Sequence, residues 1–315
     1  MTSADSSLLF RARTLFLTGK GGTGKTALAA AVGRLAAAQG RKTLVVEVDN
    51  QRPSLTSIFG ATPTYAPTEI AKNLSICNVE WTAAMDDWLA DMVSIPRLVM
   101  MITHNRVVSV FLQATPGARD LVVLWRIYQL SRNYETVVVD LPASGNAVAM
   151  LQVPNTARTL FDAGPIRGCA DQLLDFFRQP GVGLVQVCLP EEMVITETVE
   201  TFRKIRGELP MLKIPAVVLN RTTPPSIQPA ERELLEKLRA GVTDPLALEL
   251  TEAGLWDAEL EVATLNARQR LSTELGLPVI SLPVHSRGEG SARVVGQLAS
   301  ALARASQSPV TWREG

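Results

Sequence analysis

The stretch Gly19-Lys20-Gly21-Gly22-Thr23-Gly24-Lys25-Thr26 decides how the rest of this chain reads. It satisfies the pattern G-x-x-x-x-G-K-[ST] at every defined position. Glycines at 19, 21, 22 and 24 let the backbone turn tightly and aim its N–H groups at anionic oxygens. Ahead of it, Thr14 to Thr18 predicts a short buried strand; behind it, Thr26 to Gln39 predicts an alanine-rich helix stopped by Gly40. A helix opening near Lys25 adds the positive end of its dipole to the same anion. Gly19, Lys20, Gly21, Gly22, Thr23, Gly24, Lys25, Thr26 and Ala27 are therefore the candidate nucleotide-binding loop. Lys25 is expected to reach the β- and γ-phosphates, and the Thr26 hydroxyl to ligate Mg²⁺.

Two strands ending in aspartate follow. Thr43 to Val48 (TLVVEV) is near-continuously apolar after a helix, which predicts a parallel βαβ arrangement, and it runs into Asp49. A carboxylate at the C-terminal edge of such a sheet stands where ligands bind, so Asp49 is a candidate for positioning the attacking water. Glu47, two residues earlier on the same face, reads as a paired buried carboxylate. Thr136 to Val139 predicts a third strand, ending in Asp140 and the stiff turn Leu141-Pro142-Ala143-Ser144-Gly145-Asn146. A carboxylate presented in this way, as Asp140 is, suits an association with Mg²⁺.

Composition narrows the classes. The chain has 315 residues, 46% hydrophobic and 20% charged, which supports a large core and excludes general disorder. Lysine plus arginine (31) equals aspartate plus glutamate (31), so no bulk field favours nucleic acid, and no nucleic-acid partner is expected. Cys77, Cys169 and Cys188 are scattered, and His104 and His285 are far apart, which argues against zinc and against a disulfide scaffold. No apolar run reaches membrane-spanning length and Met1 to Arg13 lacks a signal pattern, so the expectation is a soluble, cytoplasmic protein.

Lys20 and the two strand ends carry a resemblance. A second lysine at the start of the loop, K-G-G-x-G-K-T, is the deviant form of the Walker A loop. It resembles ATPases that dimerise face to face and project this lysine onto the partner's nucleotide. GKGGTGKT, VEVD and above all DLPASGN followed by AVAMLQVP resemble the arsenical-pump-driving and tail-anchored-protein-targeting ATPase family. The segment VGLVQVCLPEEMVITETVE (182–200) is similar to its bacterial, anion-transporting branch. The likeness extends over about residues 15–300, by organisation more than by motif in the middle.

The resemblance implies ATP and Mg²⁺ as cofactors, Lys20 as a lysine acting in trans, Lys25 and Thr26 as phosphate and Mg²⁺ contacts, and Asp49 and Asp140 as catalytic carboxylates associated with Mg²⁺ through water. It also implies adenine recognition by Asn220-Arg221, at the end of the expected strand Ile214 to Leu219, and by Pro283-Val284 after the strand Pro278 to Leu282. It implies a homodimer, or a heterodimer with a paralogue, that couples hydrolysis to a client or partner. The chain departs from the pattern in places. After Asp49 it reads Asn-Gln-Arg-Pro-Ser-Leu, without the asparagine-bearing turn of the targeting enzymes, and Asn146 stands where many relatives carry histidine. It carries neither the zinc-clamping Cys-x-x-Cys nor clustered thiols, and no second glycine-rich loop in residues 150–315.

The expected architecture is α/β: a doubly wound, mostly parallel sheet in a single P-loop ATPase domain over residues 1–315, with 306–315 a frayed tail. An α-helical subdomain over 78–132 and 155–180 is expected to be inserted in it, since the strand pattern stops at Asn78 and helical breaks fall at Pro96 and Thr115-Pro116-Gly117. Met85, Met92, Met100 and Met101, with Trp81, Trp88 and Trp125, fall in this segment. They suit either an adaptable groove for a hydrophobic client helix or membrane protein, or a cap packed on the sheet. Further helices are expected over Pro229 to Arg239, Glu249 to Glu274 and Ser291 to Ala305. Besides the dimeric ATPase, two other functions fit: a low-turnover nucleotide-gated adaptor, and a partition- or positioning-type surface ATPase.

Overall fold

The computed structural model describes Leu9 and residues 12–92, 117–284 and 290–307. Strand β1 (Thr14–Thr18) occupies the middle of an eight-stranded sheet, beside β5 (Thr136–Asp140) on one side and β6 (Val182–Cys188) on the other. Outward from β5 come β2 (Thr43–Val48), β4 (Leu74–Val79) and the edge strand β3 (Thr68–Ala71); outward from β6 come β7 (Val217–Thr222) and β8 (Val279–Pro283). Every pair is parallel except β3 with β4. The antiparallel pair turns through Lys72 and Asn73, with Asn73 at φ 63°, a left-handed position that asparagine tolerates.

Period-2 alternation sorts the strands onto two cores. Phe16, Leu44, Val46, Cys77, Val137 and Val139 face one side, under α3 (Trp81–Met92), α4 (Ala118–Ser131), α5 (Ser144–Leu160), α6 (Pro165–Arg178) and α7 (Glu192–Glu208). Leu15, Leu17, Val45, Ile76, Val138 and Val187 face the other, under α1 (Lys25–Ala38), α2 (Leu55–Phe59) and α10 (Ser291–Gln307). Helices α8 (Pro229–Gly241) and α9 (Pro245–Leu275) join β7 to β8; α8 buries no residue, as its charge predicts. The result is a doubly wound α/β sheet with helices on both faces.

Several elements differ from expectation. Strand β4 runs on through Asn78 to Val79, and helix begins at Trp81. A short strand buried on both faces lacks the alternation that betrays a half-buried one. The helix expected from Glu249 begins at Pro245, where the Asp244 side chain accepts from the Leu246 N–H and proline suits the first turn. Asn220 and Arg221 lie inside β7 rather than after it, with Arg221 at φ 54°.

In the middle segment, Met85, Trp88 and Trp125 are buried in the same core as the strands. Met100, Met101, Pro96, Thr115 and Pro116 lie outside the described residues. A cavity of about 420 Å³ lies between α3, α4, α5 and α6, lined by Trp88, Leu121, Val153 and Phe161 with Asp120 at its wall. Among the described residues no helix is long and apolar enough to cross a membrane.

Candidate nucleotide site

Parallel strands deliver their C-terminal ends to one sheet edge, and the predicted residues collect there. Gly19 follows β1, Asp49 follows β2, Asp140 ends β5, Asn220 lies in the second half of β7, and Pro283 ends β8. The loop closes on itself: Thr23 donates through both its N–H and its hydroxyl to the Lys20 carbonyl, the latter at 2.9 Å. Lys25 Nζ donates to the carbonyls of Gly19 at 3.0 Å and Lys20 at 3.1 Å. Burial lowers the Lys25 pKa, opposed by the charges of Asp140 and Glu197.

Two glycines are required by what surrounds them. At Gly19, φ is 149° and a Cβ would stand 2.2 Å from the Val187 carbonyl oxygen of β6. At Gly24, φ is 92° and a Cβ would stand 2.5 Å from the Asn220 amide nitrogen. Gly19→Ala is accordingly expected to cost about 3 kcal/mol of unfolding free energy, since β6 backbone cannot yield. Gly21→Ala, with nothing within 4 Å of its Cβ, should stay near wild type. Urea midpoints of the two variants provide the comparison, and equal midpoints would contradict the packing argument.

Thr26 Oγ1 donates to Asp140 Oδ2 at 2.5 Å. The other carboxylate oxygen, Asp140 Oδ1, is buried with no hydrogen-bond partner. Burial pushes the Asp140 pKa up to about 6, against the opposing Thr26 bond and Lys25 charge. An orphaned carboxylate oxygen beside a threonine hydroxyl is an all-oxygen donor set that suits Mg²⁺ rather than a softer metal. The residues present therefore fit a magnesium-bound phosphate.

Lys20 Nζ lies 3.5 Å from Glu197 Oε2 on α7, and Glu197 Oε1 accepts from Ser144 Oγ at 2.5 Å. The Ser144 N–H donates to the Gly19 carbonyl at 3.2 Å, so the turn after Asp140 is joined to the loop. Nothing in the α7 helical pattern marks Glu197 as a site residue; its contact with Lys20 exists only once the helix is packed against the loop.

Asn220 donates Nδ2 to the Thr23 carbonyl at 2.8 Å and so braces the loop itself. A primary amide keeps a second N–H and a carbonyl, so this bond does not exhaust it. Arg221 is exposed, and Val284, 52% exposed, donates its N–H to the Thr222 carbonyl at 2.9 Å. Asn220 thus stands against the loop, and Val284 is joined to the strand that carries it. Behind them, Glu261 of α9 accepts from the Ser226 N–H at 2.7 Å and from its hydroxyl at 2.6 Å, pinning the connection after β7.

Asp49 is exposed and holds φ 43°, a left-handed conformation that costs a non-glycine residue on the order of 1–2 kcal/mol. Glu47 is 2% exposed, and its carboxylate accepts from Asn50 Nδ2 at 3.1 Å, Ser54 N at 2.8 Å and Leu55 N at 3.2 Å. Burial raises its pKa against these bonds. It is the paired buried carboxylate expected, and its work is to hold the first turn of α2. Cys77, Cys169 and Cys188 are buried free thiols, each raised in pKa by burial.

The sequence has relatives. ATPase BagA of Mycobacterium tuberculosis is 27% identical over 311 residues, covering 90% of each chain. An uncharacterized protein of Streptomyces coelicolor is 33% identical over 149 residues, 46% of this chain and 38% of that one. A protein of Prosthecochloris vibrioformis provisionally named an arsenical pump-driving ATPase is 30% identical over 147 residues, 46% of this chain and 36% of its own. The model of the anion-transporting ATPase family matches residues 12–179. That match takes in the glycine loop, both aspartate-tipped strands and the turn after Asp140, and by it this chain belongs to the anion-transporting ATPase family.

Proposed function

We propose that this protein is a Mg²⁺-dependent ATPase that dimerises on ATP and couples hydrolysis to opening and closing of its helical segments around a partner. The observation that carries the reading is the loop's pair of lysines in two different settings. Lys25 is folded inward onto carbonyls of its own loop, where phosphate oxygens would replace them. Lys20 is about 40% exposed and paired only with Glu197 at 3.5 Å, an exposed pair that it can leave to serve another site.

In this reading ATP enters with its phosphates against the loop N–H groups. Lys25 releases the Gly19 and Lys20 carbonyls and pairs with the β- and γ-phosphates. Thr26 and Asp140 would hold Mg²⁺, which supplies neutralisation of phosphate charge. Asp49 orients a water toward the γ-phosphorus; the water's oxygen bonds to phosphorus as the bond to the β,γ-bridging oxygen breaks, giving ADP and phosphate. Lys20 of the partner subunit stabilises the charge that develops. Asn220, Arg221, Pro283 and Val284 supply the adenine pocket. Because α5 starts at Ser144, whose N–H is hydrogen-bonded to the Gly19 carbonyl, loss of the γ-phosphate has a hydrogen-bonded route into the helices that line the apolar cavity.

A low-turnover adaptor is the second reading, favoured by the grip of Glu47 on Asn50, Ser54 and Leu55 after Asp49. Phosphate release per protomer, with and without Mg²⁺, combined with mass by light scattering, separates the two. Mg²⁺-dependent turnover and an ATP-dependent doubling of mass are expected. Turnover equal to that of Lys25→Ala would leave the adaptor.

A further inference from the structure

Three polar residues stand side by side across the sheet at its C-terminal edge. The register pairs Asn78 with Glu47 and Glu47 with Asp140, all on the face that carries α1 and α2. Asp140 takes the first turn of α1 through Thr26, and Glu47 takes the first turn of α2. Asn78, 2% exposed, has no helix to hold. Its side chain instead pairs with the backbone of one residue, accepting the Asn50 N–H at 3.1 Å and donating to the Asn50 carbonyl at 2.9 Å.

Asn50 follows Asp49, and the Asp49 N–H itself donates to the Val79 carbonyl at 3.0 Å. Strand β4 therefore holds Asp49 from its own N–H and holds the next residue from both polar atoms. Glu47 draws the Asn50 side chain the same way. A left-handed non-glycine residue persists when its surroundings over-determine it, and such residues gather at functional sites. Strand packing alone does not ask for asparagine here, because an apolar side chain would continue the buried run Leu74 to Val79 at lower desolvation cost.

We propose that Asn78 is a positioning residue, whose amide clamps Asn50 and thereby holds Asp49 in its left-handed conformation, fixing where the Asp49 carboxylate stands at the sheet edge. The inference rests on the reading of Asp49 as the carboxylate that orients the attacking water. It gives the segment after Asp49 a built-in support that does not depend on the asparagine-bearing turn this chain lacks.

The test is single-turnover ATP hydrolysis and fluorescent ATP-analogue affinity for Asn78→Ala, alone and in an Asp49→Asn background. A misplacement of order 1 Å at a reacting group costs about 100-fold. Asn78→Ala is therefore expected to slow hydrolysis about 10- to 100-fold, with affinity within about twofold and a thermal melt still cooperative. In the Asp49→Asn background the same change should slow hydrolysis no further. Asn78→Thr, which suits a strand and retains one hydroxyl for one of the two bonds, should lose less than Asn78→Ala; it serves in its place if alanine fails to fold. Unchanged hydrolysis in both variants, or an equal loss in the Asp49→Asn background, overturns the proposal. Wild-type turnover in Asp49→Asn alone overturns the role of Asp49, and the positioning of it by Asn78 falls with it.

Discussion

Lys20→Ala is expected to slow ATP hydrolysis about 1,000-fold, the lower end of what an arginine finger contributes, with ATP affinity nearly unchanged. The loop does not need this side chain. Lys25 and Thr23 bond to the Lys20 carbonyl, which alanine keeps. The ammonium itself meets Glu197 at 3.5 Å with both groups more than a third exposed. Such a pair contributes about 1 kcal/mol or less, so a partner's nucleotide can draw Lys20 away without disturbing the fold. Mixing makes the prediction sharper. Lys20→Ala and Asp49→Asn, each inactive alone, should regain turnover when combined, because a mixed dimer has one site with its own Asp49 and a lysine from across the interface. Phosphate release by the mixture measures this. No recovery on mixing, with mixed dimers verified by mass, would place Lys20 in cis.

Asp140→Asn is expected to lower Mg²⁺-dependent turnover about 100- to 1,000-fold, in the range seen when one electrostatic stabiliser of a transition state is removed. Its effect on stability should have the opposite sign. Burial raises the Asp140 pKa to about 6 in the folded chain, against 3.8 for the free carboxyl. The folded state then binds the proton more tightly than the unfolded state. Stability without metal is greatest at acid pH on this account, and falls as pH rises from about 4 to about 6. A shift of this size corresponds to about 2–3 kcal/mol. Asparagine cannot ionise and can still accept from Thr26, so the metal-free variant should melt above wild type at pH 8, with the gap closing near pH 4. Thermal melts in chelator at the two pH values test this. A variant less stable than wild type at pH 8 would mean that Lys25 and Thr26 more than offset the buried charge.

The glycine loop was legible because its chemistry is local. Its glycines, two lysines and threonine lie within eight consecutive residues, and the strand and helix on either side follow from apolar pattern and a stop glycine. Strands β2 and β5 were legible for the same reason, being apolar runs with an acid at the end. Glu47 could be read as paired, but its partners Asn50, Ser54 and Leu55 could not, because no motif marks them. Asn78 read as the end of strand pattern, since asparagine is disfavoured in strands unless its side chain finds partners. Asn220 was expected to face adenine, and the fold shows it first bracing Thr23.

The sequence by itself determined the phosphate loop, the order of strand and helix around it, and the carboxylates at the strand ends, because each depends on neighbours a few residues away. Tertiary structure alone decided which side chains hold those groups still. Glu197 reaches Lys20 across 177 residues, Asp140 reaches Thr26 across 114, and Asn78 reaches Asn50 across 28. Contacts at such separations are set by sheet register and helix packing, and a residue that acts through them carries no local pattern to announce it. The two lysines of one loop show the division: their spacing is written in eight residues, while their opposite settings, one folded inward and one turned out to α7, exist only once the sheet is assembled.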